Sequence, residues 1–275
     1  MQDHEGENGW KEQAEAWWET SIIEMSPGVI RYHGTPVEEL IGNVSFPEMI
    51  WFMLRGTRPN AGQAALLGHA LVAAVDHGPQ APSIAIARMA ATCGVGINSA
   101  MASAINALGD VHGGAGEQAV AFYSAVDERA GEGGDVAQAV ADELDVMAAR
   151  GVKYVPGFGH RFHPTDPRSP RLLALIDEAA AQGAVSGRFA AIARATEDEI
   201  AHRKGRRIPM NIDGATGAIY AELGFAPPLC RGLFVLSRSV GVLAHAWEQM
   251  QRGERNKGPL PRDATWKYTP LRPDE

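Results

Sequence analysis

The 275-residue chain is poor in cysteine and aromatic residues and carries no excess of positive charge. Its 2 cysteines, Cys93 and Cys230, stand far apart among small or apolar neighbours. That pattern gives little support to a structural disulfide or a cysteine-based zinc site and predicts two buried thiols in a reducing compartment. A formal net charge of -8 argues against a general nucleic-acid or anionic-membrane binder, while allowing a local basic pocket. Neither His-Glu-x-x-His nor Gly-x-Ser-x-Gly occurs, so no metal and no serine-triad hydrolase are expected. The polar, acidic residues 1–9 are unlike a secretory leader. The apolar stretch 64–75 contains His69 and is too short for a bilayer. The expected location is the cytoplasm, with no membrane partner.

What the chain does contain reads as helix nearly throughout, and the predicted class is mainly α. Alanine-rich segments at 62–76, 82–93 and 97–108 have the small side chains that let helices pack closely. Further helices are predicted over 10–19, 117–130, 135–150, 171–182, 189–203 and 229–250. Ser26-Pro-Gly28 followed by Val29-Ile-Arg-Tyr32 reads as a turn and short strand. Thr35-Pro-Val-Glu38 and Ser45-Phe-Pro-Glu48 both read as capping boxes. Residues 151–170, rich in glycine and proline, form a long loop of the kind that is functional when ordered. Beyond residue 253 the chain reads as an extended arm.

Three motifs carry chemistry: Asp110-Val-His112-Gly-Gly; Pro156-Gly-Phe-Gly-His160 running into Asp166-Pro-Arg168; and Asn211-Ile-Asp213. Two histidines and a carboxylate beside glycines or turns suit proton transfer at a carbon next to a carbonyl. Taken singly, each has a plainer explanation. Asp213 could cap a helix starting at Gly214, and a histidine after glycine is commonly a loop residue.

The order of the motifs, with Arg238 in Leu236-Ser-Arg-Ser-Val-Gly241 and the segment Val29-Ile-Arg-Tyr-His-Gly-Thr-Pro-Val-Glu-Glu-Leu40, resembles the citrate synthase superfamily. The resemblance spans roughly residues 21–253. It implies a helical homodimer with a large domain, 1–111 plus 214–275, and a small inserted domain, 112–213. It also implies acyl-CoA and an oxo acid as substrates, with no tightly bound cofactor. Carried over residue by residue, Asp213 would be the base for the acyl methyl, and His112 a neutral donor to the thioester oxygen. His160 would exchange the proton on the oxo acid's oxygen, with His77, Arg168 and Arg238 holding that substrate. Backbone of Val155, Pro156, Gly157, Phe158 and Gly159 would face CoA, and Arg262 on the C-terminal arm would reach the partner's site. His69, His163, His202 and His245 have no such support and are expected to be structural or surface residues.

Chain length and Thr20-Ser-Ile22 resemble the citryl-CoA lyase module of ATP-citrate lyase and its free-standing bacterial relatives. His112, in contrast, stands where synthases have histidine and that module does not. Citryl-CoA cleavage to acetyl-CoA and oxaloacetate is therefore the expected activity. Citrate synthase or a related acyl-CoA/oxo acid synthase is the alternative, and a non-catalytic acyl-CoA-binding protein a further one.

Overall fold

Helices follow the alanine-rich segments of the sequence in a computed structural model that describes residues 4–160, 164–261 and 263–270. The fold is mainly α. The chain forms two compact units, Met1–Ala65 and Leu66–Glu275.

The first unit holds α1 (His4–Trp17), an antiparallel sheet of β1 (Ile23–Ser26), β2 (Val29–Tyr32) and β3 (Thr35–Pro36), then α2 (Val37–Leu40) and α3 (Phe46–Arg55). The two capping-box patterns part company here. Ser45 caps α3 as expected: its hydroxyl accepts from Glu48 N–H, and the Glu48 carboxylate accepts Ser45 N–H at 2.7 Å. Thr35 makes no such cap, because Tyr32 pairs with Thr35 and Arg31 with Pro36. Pairing holds that backbone extended, and α2 starts from Pro36 without a side-chain cap.

The second unit takes in most of α4 (Ala61–Ala73), then α5 (Pro82–Thr92), α6 (Ile97–Asn106), α7 (Ala115–Ala130) and α8 (Val136–Ala149). It continues through α9 (Arg168–Ala181), α10 (Arg188–Lys204), α11 (Ile212–Glu222) and α12 (Pro227–Gln251). α12 packs on α5, α6 and α7, and α11 on α7, α9 and α10. Ala81, Ile84, Ala87, Ala100, Ala104, Val242 and Ala246 form a buried cluster whose small side chains permit that close approach.

Two expectations are corrected, at α9 and at Cys93, and one helix stands out for its length. Among the described residues α12 is long and apolar enough to cross a membrane by length and composition. However, one face of it, with the charged Arg238 beside Leu233, Val242 and Ala246, is buried against neighbouring helices. α9 begins at Arg168, three residues early, because the Asp166 carboxylate accepts Arg168 N–H at 3.1 Å and starts the turn. Cys230 is buried but Cys93, which caps the C-terminal end of α5, is exposed.

Candidate active site

α11 shows how the local sequence frees a carboxylate. Asn211, not Asp213, is its N-cap: the Asn211 side-chain oxygen accepts N–H groups of Asp213 at 2.9 Å and Gly214 at 3.3 Å. Asp213 therefore sits within the first turn with its carboxylate uncommitted to capping, and faces a cavity of about 220 Å³. His77, His112, His160 and Arg238 line the same cavity, together with Phe234. The five side chains expected to act are thus brought together from five separate stretches of chain. Burial raises the Asp213 pKa, opposed by the guanidinium charges of Arg238 and Arg168.

His112 is oriented by the start of another helix. The second residue of α5, Ser83, donates its backbone N–H to His112 Nε2 at 3.1 Å, and its hydroxyl lies 3.0 Å from the same nitrogen. A ring nitrogen that accepts from a backbone N–H carries no hydrogen, so the imidazole proton resides on Nδ1. Burial and the charge of Arg238 lower the His112 pKa. The positive end of the α5 dipole acts in the same direction. His112 is therefore a neutral imidazole with one N–H to offer.

His77 and His160 meet edge to face, with ring centroids 5.4 Å apart. Burial, then the charges of Arg168, Arg238 and His160, lower the His77 pKa, with Asp166 opposing. Arg238 is only 4% exposed; its Nε donates to the Ala74 carbonyl at 3.2 Å and its guanidinium carbon lies 4.9 Å from the Phe234 ring centroid. Arg168 is less free than the sequence suggested. Its Nε and Nη2 bind the fully buried Asp166 carboxylate at 2.9 and 2.8 Å, and Nη1 donates to the Ala73 carbonyl at 3.3 Å. Only the remaining guanidinium hydrogens are left for a ligand. Burial alone would raise the Asp166 pKa, but hydrogen bonds from Arg168 and the Ile212 N–H hold it below the usual carboxylate value.

The glycine-rich turn is zipped to the start of α11. Gly157 O accepts Asn211 N–H at 2.9 Å, Gly159 N–H donates to Pro209 O at 2.8 Å, and Asn211 Nδ2 donates to Gly159 O at 2.7 Å. Gly157 has φ +85°, and a Cβ there would lie 2.6 Å from Gly214 Cα. Two glycines are needed for the strands of chain to touch. Several polar groups of Val155, Pro156, Gly157, Phe158 and Gly159 are therefore engaged internally: Val155 O also accepts Phe158 N–H at 3.3 Å. A wider cavity of about 700 Å³ shares His77 and His112 and is walled by Pro79, Ala81, Pro82 and Val111. Among the described residues no cluster of histidine, cysteine or acidic side chains could hold a metal. Arg262 and His163 lie outside the described residues.

A family model described as citrate synthase, C-terminal domain, matches residues 53–262. The chain belongs to that family. It is 32% identical to citrate synthase of Haloferax volcanii over 202 residues, 73% of this chain and 50% of that protein. It thus spans about half the length of the curated relatives it matches. Among solved structures it is similar to citryl-CoA lyase from Hydrogenobacter thermophilus: TM-score 0.78, 31% identity, 93% of this chain and 96% of that one. A citrate synthase from Thermoplasma acidophilum, solved with carboxymethyl coenzyme A and oxaloacetate, matches with TM-score 0.64 and 26% identity over 82% of this chain and 59% of that one.

Within this citrate synthase-family chain, sequence reasoning missed Ser83 and Phe234 beside these residues, and it placed Asp166 in the CoA-facing loop without seeing it as the partner of Arg168. Pro82-Ser83 is a readable helix start, and Phe234 stands four residues before Arg238 on one helix face. Nothing local to Ser83 points to a histidine 29 positions away.

Proposed function

We propose that the protein is an acyl-CoA carbon–carbon lyase that cleaves citryl-CoA to acetyl-CoA and oxaloacetate, a reversible reaction. The observation that carries the reading is a neutral His112 with its free hydrogen on Nδ1, in one cavity with Asp213, His160 and Arg238. In the cleavage direction His160 takes the tertiary hydroxyl proton as the carbon–carbon bond breaks. The bond's electron pair moves into the thioester, forming an enolate whose oxygen accepts from His112 Nδ1–H. Protonated Asp213 then delivers its proton to the enolate carbon, giving the acetyl methyl. The raised pKa of Asp213 supports this role, because burial favours the acid form that must donate.

Preorganised donors of this kind are each worth about 3–4 kcal/mol, and a placed acid or base about 10²–10⁴-fold, so the groups must act together. Arg238, with what remains of Arg168 and His77, holds the oxo acid carboxylates and oxygen. The wider cavity gives a thioester arm a route to His112, with backbone of residues 155–159 beside CoA. Residues 112–213 form the small domain, and its closure on the large one excludes water. A homodimer is supported by the outward face of α12, where Leu236, Val240, Leu243 and Trp247 are exposed at heptad spacing. In that dimer Arg262 reaches the partner's site.

The synthase alternative is supported by the similarity to citrate synthases, which the chain matches over about half of their length. Incubation with acetyl-CoA and oxaloacetate separates the two: a persistent citryl thioester marks the lyase, and stoichiometric free CoA the synthase. Asp213→Asn is expected to abolish deuterium exchange into the acetyl methyl in the presence of an unreactive oxo acid analogue. Undiminished exchange would remove Asp213 from the mechanism.

A further inference from the structure

His245, expected to be structural or superficial, stands behind the turn that carries His77. α12 follows residues 71–76 turn by turn. The Ser237 hydroxyl donates to Leu71 O, Arg238 Nε to Ala74 O, and Gly241 lies so close that a Cβ would be 2.1 Å from Val75 O. One turn further, His245 Nε2 is 3.3 Å from Asp76 Oδ1. The other Asp76 oxygen accepts Gly78 N–H at 3.1 Å, closing a turn around His77. Oδ1 is buried with no well-aligned hydrogen bond, so His245 is the donor placed to serve it.

The far side of the imidazole is also fixed. Arg88 Nη1 lies 3.0 Å from His245 Nδ1 and donates to Glu248 at 2.8 Å. A guanidinium only donates, so Nδ1 accepts and the ring hydrogen sits on Nε2, facing Asp76. Arg88 and His245 are largely buried, with side chains 11% and 18% exposed. An ordered chain Glu248–Arg88–His245–Asp76 thus runs from the surface to the His77 turn.

We propose that His245, held by Arg88, is a positioning residue that fixes Asp76 and hence His77 for the oxo acid, without acting on the acyl-CoA. This rests on the reading of His77 as a group that holds the oxo acid's oxygen. The test compares His245→Asn, whose amide keeps an acceptor for Arg88 but cannot reach Asp76, with His245→Gln, whose longer amide can. His77→Ala and the double variant His77→Ala/His245→Asn complete the set. With folding checked by thermal melts, the oxaloacetate KM and the acetyl-methyl exchange at saturating oxo acid analogue are measured. Loss of the His245–Asp76 contact, of the size of a hydrogen bond to a charged group, should raise KM about tenfold in His245→Asn. Gln should restore most of it, exchange should hold, and the double variant should match His77→Ala alone. A normal KM in His245→Asn beside a raised KM in His77→Ala overturns the proposal, as do additive effects in the double variant. An unchanged KM in His77→Ala overturns the reading of His77 and the proposal with it.

Discussion

Replacing Gly214 with alanine adds one methyl group where the glycine-rich turn meets α11. The new Cβ would lie 2.5 Å from Gly157 O and 2.7 Å from Met210 Cγ. Ordinary carbon–oxygen contact begins at about 3.3 Å, so the two segments must part by roughly 0.8 Å. That separation acts on the Asn211 N–H to Gly157 O bond and on the spacing of Asp213 from His160. Overpacking costs about 1–3 kcal/mol, and alanine in a helix returns about 1 kcal/mol relative to glycine. The net expected loss of stability is thus ~0–2 kcal/mol. Activity should suffer far more, since a misplacement near 1 Å costs on the order of 10²-fold. Urea unfolding measures the first quantity, and acetyl-methyl exchange with citryl-CoA turnover the second. Gly217→Ala, one turn along, is the control: its Cβ would meet Ala119 Cβ at 3.1 Å, away from the cavity, and exchange should stay at wild type. Wild-type turnover in Gly214→Ala would refute the view that the glycine contact sets the catalytic geometry.

Because burial and Arg238 hold His112 below the ordinary value of 6.5, methyl exchange should persist below that pH. The unfolded chain protonates there before the folded one, so stability present above pH 6.5 declines as pH falls toward the folded value; His112→Asn should flatten that slope in unfolding measured across the range. Asp213 has the opposite sign, with stability full below 3.8 and lost as pH rises through its raised folded value; Asp213→Asn should therefore melt no lower than wild type at neutral pH. Asp166→Asn should release Arg168 and the Ile212 N–H together, raising the oxo acid KM and lowering the melting temperature; steady-state kinetics and a melt check both.

The local pattern of the chain determined most of its helices and the Ser45 cap, since apolar spacing, small side chains and turn residues act within a few positions of themselves. The three motifs and Arg238 could be picked out because their chemistry and order resemble the citrate synthase family. Tertiary structure decided what each group is free to do. His112 presents Nδ1 because Ser83 of another helix occupies Nε2. Asp213 is available because Asn211 takes the cap. The Arg168 fork is largely taken up by Asp166, and His245 lies behind His77 because α12 runs alongside residues 71–76. A hydrogen-bond partner is fixed by proximity in space. The pairs Ser83–His112 and Arg88–His245 are 29 and 157 positions apart, and no periodicity along the chain records such a meeting.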